Sequence, residues 1–130
     1  VFTNYYPNDA TNSTHRTGSQ MSTKHFDINE LGWYTYEGKV VVAGATTHCL
    51  KSNKFGCENY NRVPEHFLVY SYWDTFQFLY DGVYYEAVVL DSCGACHVAN
   101  PTDNSLQRFD IFIASKKHSF GKIQASIILE

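Results

Sequence analysis

Apolar residues in this chain come in short runs split by clusters of Gly, Asn, Ser and Pro, and within the runs they alternate as strands do. The clearest run is Tyr84 to Leu90. There Tyr85, Ala87 and Val89 fall on one side of an extended strand, and Tyr84, Glu86, Val88 and Leu90 on the other. Asp81-Gly82 just ahead of it is a hairpin signal, so Thr75 to Tyr80 is the expected partner strand. Val1 to Tyr6 predicts a first strand, closed by Pro7-Asn8-Asp9, and a polar loop runs on to Thr23. Phe26 to Leu31 predicts a short helical turn capped by Asp27 or Asn29. Lys39 to Ala45 is β-branched and predicts a buried strand, followed by a long polar connection from His48 to Glu65. Phe67 to Tyr72 and Phe109 to Ile113 predict further strands. Ala114 to Phe120 predicts a helical turn, and Ile123, Ala125, Ile127 and Leu129 alternate in a last strand.

Six or seven short strands with almost no helix make an all-β domain over residues 1–130. A small closed barrel removes the exposed edges of such a chain, with a sandwich as the alternative. Composition agrees: 44% hydrophobic and 18% charged residues fit a globular chain rather than a disordered one. Ten Tyr, nine Phe and two Trp suit strands and a core, and they suit surfaces that stack on sugars. The formal net charge is −3 with no basic run, which argues against a nucleic-acid partner. No apolar stretch is long enough to span a bilayer as a helix. The chain opens on Val1 and not on Met, as either a mature product or a trimmed piece would, so the missing signal peptide says little about targeting.

Four cysteines, Cys49, Cys57, Cys93 and Cys96, fit an oxidising compartment outside the cytoplasm. Two disulfides are expected, with all three pairings open; a Cys49 to Cys57 bridge would pin one loop. Cys93-Gly94-Ala95-Cys96 also has redox-motif spacing, but the βαβ context of a thioredoxin-like site is missing. All four thiols could instead form a zinc site, a weaker alternative to disulfides. No cofactor or metal is called for.

The carboxylates carry the chemical interest. Asp91 ends a strand whose pattern otherwise reads as buried, and Asp110 sits inside Phe109-Asp110-Ile111-Phe112-Ile113. A carboxylate in apolar surroundings must be paired, hydrogen-bonded or protonated, and a protonated one is what a general acid for glycosidic cleavage needs. The bland alternative is a cap, or an edge residue facing water.

Motif order along the chain resembles the double-psi β-barrel family of rare-lipoprotein-A-like proteins, the three-aspartate (3D) domains of membrane-bound lytic transglycosylase A, and barwin and expansin relatives. Thr3-Asn4-Tyr5-Tyr6-Pro7 resembles the opening strand, Arg16-Thr17-Gly18-Ser19 the loop after it, and Phe26-Asp27-Ile28-Asn29-Glu30-Leu31 a short Phe-Asp-x-Asn-x-Leu segment. Val41-Ala43-Gly44-Ala45-Thr46 is similar to the next strand, and Val88 to Ala95 to the strand-to-loop step that reads Asp-x-Gly-Gly-Ala in 3D domains. Arg108-Phe109-Asp110-Ile111-Phe112 resembles the closing Phe-Asp-Ile/Leu motif, and Gly121 to Leu129 the last strand. The resemblance implies a six-stranded double-psi β-barrel with short helical turns. It also implies a peptidoglycan lytic transglycosylase that cleaves glycan strands between N-acetylmuramic acid and N-acetylglucosamine, leaving a 1,6-anhydro end. By resemblance Asp110 is the acid/base and Asp91 supports it. His48 is the nearest polar candidate for the third position, where 3D domains carry a carboxylate. Tyr5, Tyr6, Thr17, Gly18, Thr46, Thr47 and Asp9 are the expected glycan contacts, with Trp33 and Trp73 as further sugar platforms.

Besides the third carboxylate, replaced here within Thr46-Thr47-His48, this chain departs from the pattern in two places. Val63-Pro64-Glu65-His66 replaces the usual Pro-Leu-Gly-Thr turn, and the Asp91 to Asp110 loop is longer and carries cysteines. Three other functions compete: a non-catalytic, expansin-like wall-polysaccharide module, an inverting hydrolase that places water with Asp9 and Asp110, and a metal-bound or redox protein that uses the four cysteines.

Overall fold

The computed structural model describes residues 2–5, 17, 19, 21–49, 57, 63–98 and 107–128, with His48 described by its backbone alone. Among these the regular elements are strands and 3-10 turns. The strands are β1 (Phe2–Tyr5), β2 (Asp27–Ile28), β3 (Tyr34–Tyr36), β4 (Lys39–Gly44), β5 (Thr75–Tyr80), β6 (Val83–Ser92), β7 (Phe109–Phe112) and β8 (Ser126–Ile128). They form one sheet in the order β1-β7-β4-β6-β5-β8, with β3 also paired to β4 and β2 to β3. The β1–β7 and β4–β6 pairs are parallel. The sheet curls, because the chain entering β8 meets β1: Phe2 N–H donates to Ile123 O at 2.9 Å, and Ile123 N–H to Phe2 O at 3.0 Å.

Alternation sorts the strands into two cores, one on each face. Phe2, Val40, Val42, Phe78, Ala87, Val89, Phe109 and Ile111 pack together on one face. Tyr5, Val41, Ala43, Val88, Leu90 and Phe112 pack on the other. β4 feeds both, so its Val40 to Ala43 run is buried throughout, as a β-branched central strand should be. Burying each such side chain stabilises the fold by roughly 1.5–3 kcal/mol. The hairpin falls at Asp81-Gly82, whose φ values of 51° and 75° match a two-residue turn of the primed class.

Two expected elements lie elsewhere. Phe67 to Tyr72 is not a strand; only Tyr70 bridges, in parallel, to Thr46. Turns at both ends shorten the run: Phe67 N–H bonds Pro64 O at 3.0 Å, and Asp74 N–H bonds Ser71 O at 3.1 Å. The helical turn expected over Phe26 to Leu31 forms earlier, at Thr23–His25, behind the N-cap Ser22. Asn29 Oδ1 instead accepts from Leu31 N–H at 2.9 Å and Trp33 N–H at 3.0 Å, which shapes the bend into β3. The expected turn within Ala114 to Phe120 forms at Lys116–His118.

The cysteines pair Cys49 with Cys57 and Cys93 with Cys96. The first bridge ties the segment leaving β4, and the second lies inside the turn leaving β6.

Candidate active site around Asp91 and Asp110

A β-bulge builds the site. β4 and β6 run in register up to Val42 beside Val89, and then Ala43 pairs with Asp91, so Leu90 has no partner on β4. The extra residue keeps Leu90 on the face of Val41 and Ala43, and it brings Asp91 onto that face as well. On the other side of β4, Ala43 pairs with Asp110 of β7, and Asp110 in turn pairs with Thr3 of β1. Thr3, Asp110, Ala43 and Asp91 therefore form one row across four strands. The two aspartates flank the small Ala43 side chain, with their Cα atoms roughly 10 Å apart, twice the usual strand spacing.

Each carboxylate has its own partners. The Thr3 hydroxyl donates to Asp110 Oδ1, and Arg108 Nε lies 3.5 Å from the same oxygen. Arg108 Nε also donates to Thr3 Oγ1 at 2.8 Å, so guanidinium, hydroxyl and carboxylate form a closed triangle. The Asp110 side chain is 15% exposed, within reach of solvent but not open to it. Asp91 Oδ2 accepts from the Tyr5 hydroxyl at 3.2 Å, and its Oδ1 accepts from Ser92 N–H at 2.9 Å. Burial pushes the Tyr5 phenol well above its ordinary value, and the charges of Asp91 and Asp110 push it further, so this hydroxyl stays a donor.

A polar chain leads away from Asp91. Ser92 Oγ lies 2.6 Å from Thr46 Oγ1 and 2.9 Å from the Tyr72 hydroxyl. Thr46 N–H donates to His97 Nε2 at 3.3 Å, and His97 Nδ1 lies 2.6 Å from Cys93 O. With Nε2 accepting, Nδ1 carries the proton, so these two contacts fix a neutral tautomer on a fully buried ring. Thr17 lies beside the bulge: its hydroxyl is 2.8 Å from Ser19 Oγ, and Ser19 N–H donates to Leu90 O at 3.0 Å. Thr47 Oγ1 is 2.9 Å from Ser71 Oγ. The Cys93 and Cys96 sulfurs and an Asp110 oxygen all lie within 4.8 Å of one another.

The structure thus gathers Asp110, Asp91, Tyr5, Thr46 and the Cys93–Cys96 pair, with Thr17 attached through the bulge. Tyr6, Asp9, Gly18 and the His48 imidazole lie outside the described residues. Tyr5 presents its hydroxyl to Asp91 while its ring is buried, stacked on Phe112 at 4.5 Å. Trp33 is buried in the core of the opposite face, between Phe78, Tyr80, Tyr85 and Phe120, and offers no sugar platform. Trp73 is 47% exposed with Tyr36 edge-on beside it. Thr3, Arg108, Ser92, Tyr72 and His97 join the site without having been singled out from sequence. For Arg108 a signal existed: it stands two residues before Asp110, and alternation puts both on one face.

No protein-family model, no curated protein and no solved structure matches this chain.

Proposed function

We propose that this chain cleaves wall glycan as a peptidoglycan lytic transglycosylase, with Asp110 as its acid/base. The observation that carries the reading is the row in which a bulge sets Asp91 level with Asp110 on one face. Asp110 protonates the oxygen between N-acetylmuramic acid and N-acetylglucosamine, and an oxocarbenium-like centre develops at C1. The ionised Asp110 then takes the proton of the muramic C6 hydroxyl as that oxygen closes onto C1. One carboxylate serves both steps, since no water nucleophile has to be placed. Arg108 and Thr3 hold Asp110 in position and complement its charge between the steps. Asp91, held by Tyr5, adds a second negative charge that favours the cationic centre. The frame of this proposal is a six-stranded double-psi barrel of β1 and β4 to β8; the curl of the sheet and its parallel β1–β7 and β4–β6 pairs support it. Two disulfides are compatible with work outside the cytoplasm.

The Arg108 ion pair favours one second reading, a wall-glycan module that binds without cleaving. Asp110 is complemented there as an anion, whereas a donor must carry a proton. Digestion of purified peptidoglycan, read by mass spectrometry, separates the two. Anhydro-ended products should form and should fall roughly 10²–10⁴-fold with Asp110→Asn. Reducing ends would replace transglycosylation by hydrolysis, and retention on the wall without products would leave the binding module.

A further inference from the structure

The turn after β6 sets a Cys-x-x-C pair against the Asp110 carboxylate, and the backbone explains how. Cys93 N–H donates to Gly44 O at 3.2 Å, and Cys96 Sγ lies 3.9 Å from Ala43 O. Ala43 is the residue that pairs with Asp110, so the end of β4 carries the turn over β7. Other contacts hold the turn without help from the sulfur–sulfur bond. Cys96 N–H donates to Cys93 O at 3.0 Å, and the buried His97 ring ties Cys93 O to Thr46 N–H. Breaking the disulfide would therefore leave two thiols in place beside a carboxylate.

We infer that Cys93, Cys96 and Asp110 form a redox-gated site for a zinc-like divalent cation, closed while the disulfide stands and opened by its reduction. A dithiol reductant opens it by two exchanges. The Cys93–Cys96 bond breaks, the reductant closes to its own disulfide, and its two sulfhydryl protons end on Cys93 and Cys96. The cation then displaces both protons to solvent and takes two thiolates and one carboxylate oxygen. Two sulfurs and an oxygen suit zinc, and three protein ligands leave a fourth position for water. A tetrahedral zinc shell has donor–donor edges of about 3.7 Å, so on reduction the two sulfurs part from bonding distance while the carboxylate, within 4.8 Å of both, shifts inward to complete the set. Charge decides for a metal over simple dithiol exchange. Asp110 is complemented as an anion by Arg108 and Thr3, so bare thiolates beside it would be repelled. A dication offsets two of the three negative charges, and Arg108 faces the third. A loaded site occupies Asp110, so metal binding and acid/base work exclude each other.

Co2+ and Zn2+ titrations of the oxidised and reduced chain test this. The reduced chain should bind one equivalent of Co2+ with thiolate-to-cobalt charge-transfer absorption, and the oxidised chain should show none. Cys93→Ser should abolish the band, and a Cys49→Ser/Cys57→Ser chain should keep it. Asp110→Asn should keep thiolate absorption and weaken binding by about tenfold or more. If reduction unfolds the chain, one equivalent of Zn2+ should restore its near-ultraviolet circular dichroism. The site is overturned by a folded reduced chain without the band, by unchanged affinity in Asp110→Asn, by a band that needs Cys49 and Cys57, or by failure of Zn2+ to refold a reduced chain.

Discussion

Tyr5 carries its hydroxyl to Asp91 while its ring lies flat against Phe112, so one side chain serves both the polar row and the core beneath it. Ionising that phenol would set a third negative charge beside two aspartates. The folded phenol therefore keeps its proton above 10.0, the pH region where the unfolded one loses it. The matching stability is fully present below about pH 10 and is lost as the pH rises through the folded value. Urea midpoints taken between about pH 8 and pH 11 should fall for the natural chain and fall less steeply for Tyr5→Phe. Equal slopes would place the alkaline sensitivity on other tyrosines. At neutral pH the same substitution should cost about 1–3 kcal/mol, since it takes a donor from Asp91 in a half-buried setting. At this scale the sequence showed which carboxylates stand out but not how they are held. Phe109 and Ile111 make Asp110 look engulfed in apolar residues, yet both point to the opposite core. Its actual neighbours, Thr3 and Arg108, come from a distant strand and from the alternate position on its own.

The elements that could be read from the sequence are those whose pattern is local. Tyr84 to Leu90 alternates as expected and sorts cleanly, with Ala87 and Val89 on one face and Val88 and Leu90 on the other. The bulge at Leu90 could not be read, because it arises in the pairing with β4 and leaves no glycine or proline in Leu90-Asp91-Ser92. Phe67 to Tyr72 misleads for the opposite reason: its residues favour a strand, but the turn at Ser71 to Asp74 claims its end. Ser71 N–H bonds Asp74 Oδ2 at 2.8 Å, and Trp73 takes a φ of 78° there. Gly32 marks a second bend, one that a larger residue makes only at a cost. Its φ is 81°, and a Cβ would run into the His118 ring. Ala114 N–H also donates to Gly32 O at 2.9 Å, so the bend joins the start of β3 to the exit of β7. Gly32→Ala should lower stability by roughly 1–3 kcal/mol, read as a drop in thermal midpoint. An additional His118→Ala should recover the steric part and leave the backbone part. Full recovery by the second change would show that the left-handed backbone costs nothing there.

At the scale of the molecule, aromatic rings supply much of the core between the described strands. Phe2 stacks on Phe78 and Phe109, and Phe76 packs on Phe109 and Phe78. Among the described residues the aromatic content thus reads mainly as core, with Trp73 and Tyr84 as exposed rings. The strands that share these rings lie far apart in sequence, Phe2 opposite Phe109 in a parallel pair. Such pairing cannot be seen in a local pattern, and for that reason the sheet order was not legible while most of the strands were. The contact between Phe2 and Ile123 has a topological consequence. The first described strand is bonded to the segment that enters the last one, so β1 and β8 lie near one another although they are far apart in sequence. Ile123 and Ile128 are at most about 18 Å apart along an extended chain. A flexible linker of about eight residues could therefore join the last strand to the first. New ends could then be cut at the exposed Asp81-Gly82 tip. A circularly permuted protein of this kind should melt cooperatively and give the same disulfide map. A molten product would mean that the seam between β1 and Ile123 closes only when it is free at one side.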